Sequence, residues 1–216
     1  MRWLLSVAIV VAAASLALAQ DKPVSEEGFV PLFDGKTMTG WQGGLDGYEV
    51  KDGTMICKPK GSGNLYTNNE YANFVFRFEF KLTPGANNGV GIRTPKEGDA
   101  AFVGMEIQIL DDGHPNYKGI KDYQAHGSVY GVIPAKRGFL KPTGEWNSEE
   151  ITVDGTRVKV VLNGETIVDG DIAEAREKGA IDGREHPGLK RDKGYIAFCG
   201  HGAHLEFRNI RIKELK

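Results

Sequence analysis

The sequence predicts an all-β domain, a β-sandwich or jelly roll of two antiparallel sheets, and three observations carry that expectation. Apolar residues alternate at period two in segment after segment, almost nothing repeats at helical spacing, and glycine supplies 29 of 216 residues. Average usage would place glycine near about 7%, so this chain turns often. Strands divided by Gly, Pro, Asn and Asp turns, without intervening helices, exclude a parallel α/β fold. No fixed-period repeat is present, which argues against a propeller or solenoid.

Along the chain, Arg2 precedes an apolar run from Trp3 to Ala14, and Ala17-Leu18-Ala19 places small residues where a signal peptidase cuts. Residues 1–19 are therefore expected to be a signal peptide, with an uncleaved N-terminal anchor as the alternative, residues 20–27 a polar mobile lead-in, and residues 28–216 the domain. The run falls short of the roughly 20 apolar residues that span a bilayer, and no later stretch approaches that length, so no integral membrane body is expected. Secretion or a periplasmic location follows from the same segment.

Phe74, Phe76, Phe78, Phe80 and Leu82 fall on one face of a strand whose other face carries Val75, Arg77, Glu79 and Lys81. Val90 and Ile92 alternate with Gly89, Gly91 and Arg93, and Met105, Ile107 and Ile109 with Glu106 and Gln108. Ile151 to Val153 and Val158 to Leu162 follow, and Asn163-Gly164 then turns the chain into Thr166 to Val168, the strongest short hairpin signal. Ile172 to Lys178 is the single plausible helix. Tyr195 to Phe198 and Leu205 to Ile212 add the last strands.

Charge narrows the partners. Lysine and arginine total 27 against 29 acidic residues, and loss of the leader removes only Arg2, leaving a net charge of −3. Without a basic stripe, nucleic acid is not an expected partner. Cys57 and Cys199 lack Cys-x-x-Cys spacing; a disulfide, with Cα atoms within about 7 Å, and two buried free thiols are the alternatives.

Candidate chemistry gathers on non-core strand faces. Gly89 and Gly91 let a ligand approach backbone, and Arg93 adds a fixed fork of donors. Glu106, Gln108 and Asp111 offer oxygen and amide groups that suit sugar hydroxyls, and Glu106 with Asp111 would also suit a divalent cation. His126 and His201 lie among glycines and are candidate proton shuttles. Trp41, Tyr130 and Trp146 are candidate stacking platforms for sugar rings. Neither a zinc-ligand spacing nor a Gly-x-Ser-x-Gly elbow occurs, which disfavours a covalent serine or cysteine mechanism.

These segments, taken in order, resemble the 3-keto-disaccharide hydrolase domain family. The resemblance runs through Gly28-Phe29-Val30-Pro31-Leu32-Phe33-Asp34-Gly35-Lys36 with Gly40-Trp41, then Glu70-Tyr71-Ala72-Asn73-Phe74 with Phe78-Glu79-Phe80. It continues in Asn88-Gly89-Val90-Gly91-Ile92-Arg93, Glu106-Ile107-Gln108-Ile109-Leu110-Asp111 and Tyr130-Gly131-Val132-Ile133-Pro134. Gly144-Glu145-Trp146-Asn147 and Glu206-Phe207-Arg208-Asn209-Ile210 complete it. It implies a concanavalin A-like jelly roll and action on glycosides oxidised at carbon 3 of the sugar. The chain departs from the family at Cys199-Gly200-His201-Gly202, where the family often carries an Asp just before the His.

A 3-keto group acidifies the hydrogen on carbon 2, so a base can remove it, the enolate can expel the glycosidic oxygen, and water can add back. Such a site needs a base, a donor or cation at the enolate oxygen, and an acid for the leaving group. The expected set is Glu106 or His126 as base, Arg93 or a divalent cation held by Glu106 and Asp111 as stabiliser, and His201 as acid. Gln108, Asp111, Tyr130, Trp41 and Trp146 would bind the carbohydrate substrate. The runner-up reading is a non-catalytic, lectin-like carbohydrate-binding module.

Overall fold

The computed structural model describes residues 26–60 and 62–216. The expected signal peptide and most of the lead-in lie outside these residues. The described residues form thirteen strands: β1 (Val30–Pro31), β2 (Trp41–Gly43), β3 (Tyr48–Lys51), β4 (Thr54–Cys57), β5 (Ser62–Tyr71), β6 (Phe74–Leu82) and β7 (Asn87–Thr94) come first. They are followed by β8 (Met105–Leu110), β9 (Trp146–Asp154), β10 (Arg157–Leu162), β11 (Glu165–Asp171), β12 (Gly194–His201) and β13 (Leu205–Glu214). Helices are short: α1 (Ala100–Val103) and α2 (Ala173–Lys178), the latter at the expected place with Ile172 as its N-cap.

Two antiparallel sheets result. One runs β11-β10-β9-β6-β13-β4-β3, with β1 added on β13, and the other runs β2-β5-β12-β7-β8. The crossovers place β6 beside β9 and β13, and β12 between β5 and β7, so neither sheet is a simple meander. The all-β expectation therefore holds.

Alternation on β6 is complete: Phe74, Phe76, Phe78, Phe80 and Leu82 are buried while the residues between are half-exposed. Phe198 of β12 closes the gap between sheets, stacked on Phe207 at 4.1 Å between ring centroids and on Trp41 at 5.4 Å. Burying each such ring contributes about 1.5–3 kcal/mol. On the solvent side of β6 the charges face opposite charges in register: Arg77 across from Glu150, Glu79 across from Arg208, Lys81 across from Glu206. Glu26 ties the start of the described chain to Arg77 and Arg211, so the end of the lead-in is held against this sheet. The Asn163-Gly164 turn has φ of +52° and +90° and joins Leu162 directly to Glu165, the mirror-type hairpin turn read from those two residues.

Arg93 departs from its expected place. A left-handed φ of +49° at the end of β7 turns its side chain out of the strand's alternation, and the residue is buried. Its guanidinium donates to the carbonyls of Ala72 (3.0 Å) and Gly155 (2.9 Å) and to Asn73 Oδ1 (3.0 Å), tying the β5–β6 and β9–β10 turns to β7. These loop acceptors, with the Arg191 carbonyl at 3.5 Å, occupy the fork that would have served a ligand.

Cys57 and Cys199 are buried free thiols, so the disulfide alternative fails. Parity gives the reason: Cys57 lies with Met55 in the inter-sheet core, whereas Cys199 packs with Tyr66, Ala100 and Ala197 on the far face of the five-stranded sheet.

Arg93→Met should strand its three acceptors in a dry environment and lower stability by at least about 3 kcal/mol, since bonds to charged groups contribute about 1.5–3 kcal/mol each. Urea unfolding measures the loss. Turnover per folded molecule should be unchanged, which separates this role from the catalytic one first expected of Arg93.

Candidate active site

The five-stranded sheet has an inner face in the core and an outer face with a different composition. Register aligns Gly91 with Glu106 and Gly89 with Gln108 across β7 and β8, and Ala197 with Gly91 and Tyr66 across β12. Residues 106 and 108 share this outer face because Ile107 and Ile109 occupy the core.

Glycine is required at position 89. A Cβ there would overlap the Glu106 carboxyl group, which lies folded over the glycine backbone. Position 91 is also crowded, its Cβ direction meeting Ala100 of α1 at 3.2 Å. Helix α1 is capped by Asp99, whose Oδ1 accepts from Ala101 N, and it walls one side of the Glu106 environment.

Glu106 is 95% buried, and its Oε1 has no hydrogen-bond partner. Across from it stands His201, half-exposed at the end of β12, with Nε2 3.9 Å from that oxygen, an ion-pair separation longer than a hydrogen bond. Burial pushes the Glu106 carboxyl above its ordinary range, partly offset by His201; the carboxylate in turn holds the His201 imidazole above its usual value. The sequence departure before His201 is thereby answered in space, since the acid comes from β8 instead of the neighbouring residue.

Gln108 Oε1 and Asn87 Oδ1 are likewise buried and unpartnered, on the same face as Glu106. Orphaned buried acceptors are uncommon in folded proteins. Three such acceptors on one face can pair with donors from outside the chain, such as sugar hydroxyls. Asn87 was missed in the sequence because it precedes the first clear apolar alternation of β7.

Several other expected residues fall elsewhere. His126 is buried on the core side, its ring 5.2 Å from Phe80; Leu110 N donates to its Nδ1 at 3.2 Å, and its Nε2 lies 3.0 Å from Glu149 Oε2. The ring is therefore buried on the core side, away from the outer face that carries Glu106. Asp111 has the parity of Ile107 and Ile109, and its Oδ2 accepts from Gly85 N at 2.8 Å, closing the turn before β7. Trp41 is buried on Phe198 with its Nε1 donating to Leu32 O. Trp146 lies on the back sheet between the cations of Arg208 (4.0 Å) and Lys81 (4.9 Å). Neither indole offers a free stacking surface beside Glu106. Tyr130 does remain near: its N–H donates to the Glu106 carbonyl, and its ring meets Phe102 edge-on.

A divalent cation does not fit the residues present. Glu106 and Asp111 belong to opposite faces, and among the described residues no group of three or more His, Cys, Asp or Glu could hold a metal ion. One carboxylate with two amide oxygens is a poor set for an ion that takes six to eight oxygens.

With the fold and this face described, kinship is decided by a family model for 3-keto-alpha-glucoside-1,2-lyase-like domains that matches residues 28–213. The chain belongs to this family. A relative, the 3-keto-disaccharide hydrolase of Bacteroides thetaiotaomicron, is 30% identical across 89% of this chain and 80% of its own. A solved structure of a candidate glycosyl hydrolase from Parabacteroides distasonis matches with a TM-score of 0.77 at 28% identity, covering 87% of this chain and 99% of its own. The carbohydrate binding module CBM66 from Bacillus subtilis shares the fold alone, at 10% identity and a TM-score of 0.52, over 82% and 96% of the two chains. This member of the 3-keto-alpha-glucoside-1,2-lyase-like family has no helix, among the described residues, long and apolar enough to cross a membrane.

Gly89→Ala tests the close approach. The added methyl must displace the Glu106 carboxyl, so kcat should fall by about 100-fold or more if Glu106 acts as an acid–base group, while circular dichroism stays that of the parent. Unimpaired turnover in Gly89→Ala would remove Glu106 from the reacting centre.

Proposed function

We propose that this protein cleaves glycosides whose sugar carries a ketone at carbon 3, with Glu106 as the base and His201 as the acid. The observation that carries the proposal is the buried, unpartnered Glu106 carboxylate facing a half-exposed His201 over a glycine floor. Family membership supports a carbohydrate substrate and hydrolytic cleavage; the keto requirement is our own reading.

In the proposed sequence, Glu106 takes the proton from carbon 2 and the bonding pair passes into the enolate. The enolate then expels the glycosidic oxygen from carbon 1, which leaves with a proton from His201. Water adds to carbon 1, giving its spare proton back to His201, and Glu106 returns its proton to carbon 2, so the net change is hydrolysis and both groups end in their starting states. Desolvation suits the first step, because a carboxylate with a raised pKa is a stronger base near neutral pH. The Gln108 amide, on the same face, is the group left to meet the enolate oxygen now that Arg93 is committed to loop carbonyls. An unoxidised sugar would instead need a pair of carboxylates and an oxocarbenium-like transition state; the other carboxylate whose charge bears on Glu106 and His201 is Asp99, with one oxygen given to the cap of α1. Both indoles that a lectin-like module would have used are withdrawn from this face, so the binding-module reading gains nothing from the fold. Export through residues 1–19 belongs to the same proposal.

Glu106→Gln preserves shape and removes the charge, so turnover of a 3-keto-glucoside should drop at least about 100-fold with substrate still bound. Exchange of the carbon-2 hydrogen with deuterated water should fall in parallel. Wild-type turnover of the matching unoxidised glucoside at an equal rate would sink the keto-dependent mechanism.

The acid and base also predict a bell-shaped kcat/KM profile. Activity should fall as pH drops through the raised Glu106 pKa, which protonates the base, and fall again as pH rises through the raised His201 pKa, which deprotonates the acid. His201→Asn should abolish the alkaline limb and spare the acid one.

A further inference from the structure

A cavity of about 310 Å³ lies beside α2 and the 184–190 turn, and none of its walls comes from the Glu106 face. That volume is at the lower end of the roughly 300–1,000 Å³ of small-molecule pockets and exceeds what an inorganic oxyanion fills. Arg176, Arg184 and Lys190 line it against a single acid, Glu185, and Ala175 and Leu189 give it an apolar wall.

The cations are held ready. Arg184 lies flat on Phe102 with its guanidinium carbon 3.8 Å from the ring centroid, and its backbone N–H donates to Asp182. Arg176 reaches Asp192 with one terminal nitrogen at 3.1 Å, but Asp192 is 85% exposed, so water weakens that pair. The Nε of Arg176 is cut off from solvent and has no acceptor. The His186 ring sits between the Ala101 carbonyl and the Asp182 carboxylate. Behind this wall lie Arg191 and Arg93, which bond to each other's carbonyls and to no acid. A planar or tetrahedral oxyanion matches the guanidinium fork of Arg176, whose one acidic partner is the exposed Asp192.

We propose that this cavity binds a sugar-borne oxyanion, the carboxylate of a uronic acid or the phosphate or sulfate ester of a hexose. The size and the apolar wall fit a monosaccharide ring, and the three cations fit its charged substituent. Phe102 links this site to the other: Arg184 covers its face, Tyr130 meets it edge-on, and Tyr130 is bonded to the backbone of Glu106. The inference does not depend on the keto chemistry, because its readout is binding.

Titration calorimetry on the whole protein, at low salt, tests it with four probes: glucuronate, glucose 6-phosphate, glucose and sulfate. We expect one-to-one binding of at least one charged sugar, none of glucose, and weaker binding of sulfate. Arg176→Gln and the double substitution Arg184→Gln with Lys190→Gln should each weaken that binding by about tenfold or more, the effect of one lost charge-assisted contact. These variants should keep the parent's melting temperature and turnover; if Arg176→Gln does not fold, the double variant decides. Whether glucuronate or glucose 6-phosphate binds separates a carboxylate from a phosphate ligand. No binding of either charged sugar, or equal binding in the variants, overturns the site, and sulfate binding as tightly as the charged sugars overturns the sugar-sized occupant.

Discussion

Pairing of β7 with β8 is the constraint on which the rest of the molecule depends. Strand β8 has to give Met105, Ile107 and Ile109 to the core and Glu106 and Gln108 to the opposite face. A slip of one residue would put a carboxylate into the inter-sheet core and an isoleucine over Gly89. The register is fixed from both sides. On one side β7 supplies Gly89, where only a hydrogen leaves room for the Glu106 carboxyl. On the other, the strip from His126 to Tyr130 bonds to the Gln108 N–H and carbonyl and to the Glu106 carbonyl, covering an edge that would otherwise be open.

This arrangement explains how ionisable groups come to be buried at two depths with different consequences. Glu106 has its charge on the outer face, where a half-exposed histidine and incoming ligand can reach it. Glu149 has its carboxyl group on the core side, with His126 Nε2 3.0 Å from its Oε2 and both side chains almost wholly shielded from water. Pairing of that kind returns little net stability, because desolvation offsets the attraction, but it fixes the loop that straps β8. His126 therefore acts on the site through backbone, two layers away from the chemistry first expected of it.

What could be read in the sequence was what alternation encodes. The Phe74 to Leu82 strand, the Asn163-Gly164 hairpin, the helix after Ile172 and the outward pairing of Glu106 with Gln108 all follow from period and turn chemistry. Residues that failed did so where alternation ends. Arg93 breaks parity through one left-handed residue; Asp111 was grouped with Glu106 although an odd separation of five puts it on the other face. His126 lies in a loop, which period does not orient. Trp41 and Trp146 needed the sheet order before their stacking partners were known. The placement of Asn87 on this face and of Glu106 opposite His201 is a product of long-range pairing, for which the linear chain has no local signal.

The ladder of opposite charges on the back of the eight-stranded sheet has its own consequence. Arg77, Glu79 and Lys81 are each answered across the strand, and Trp146 is covered by two cations. Another surface docking there would have to strip water from ions that already have partners, gaining almost nothing in return. This protein is therefore two-sided in its affinities: a wall content with solvent at the back, and at the front a wall with acceptors still waiting for donors. A surface tether or fused neighbour attached through the back would leave the front free to work.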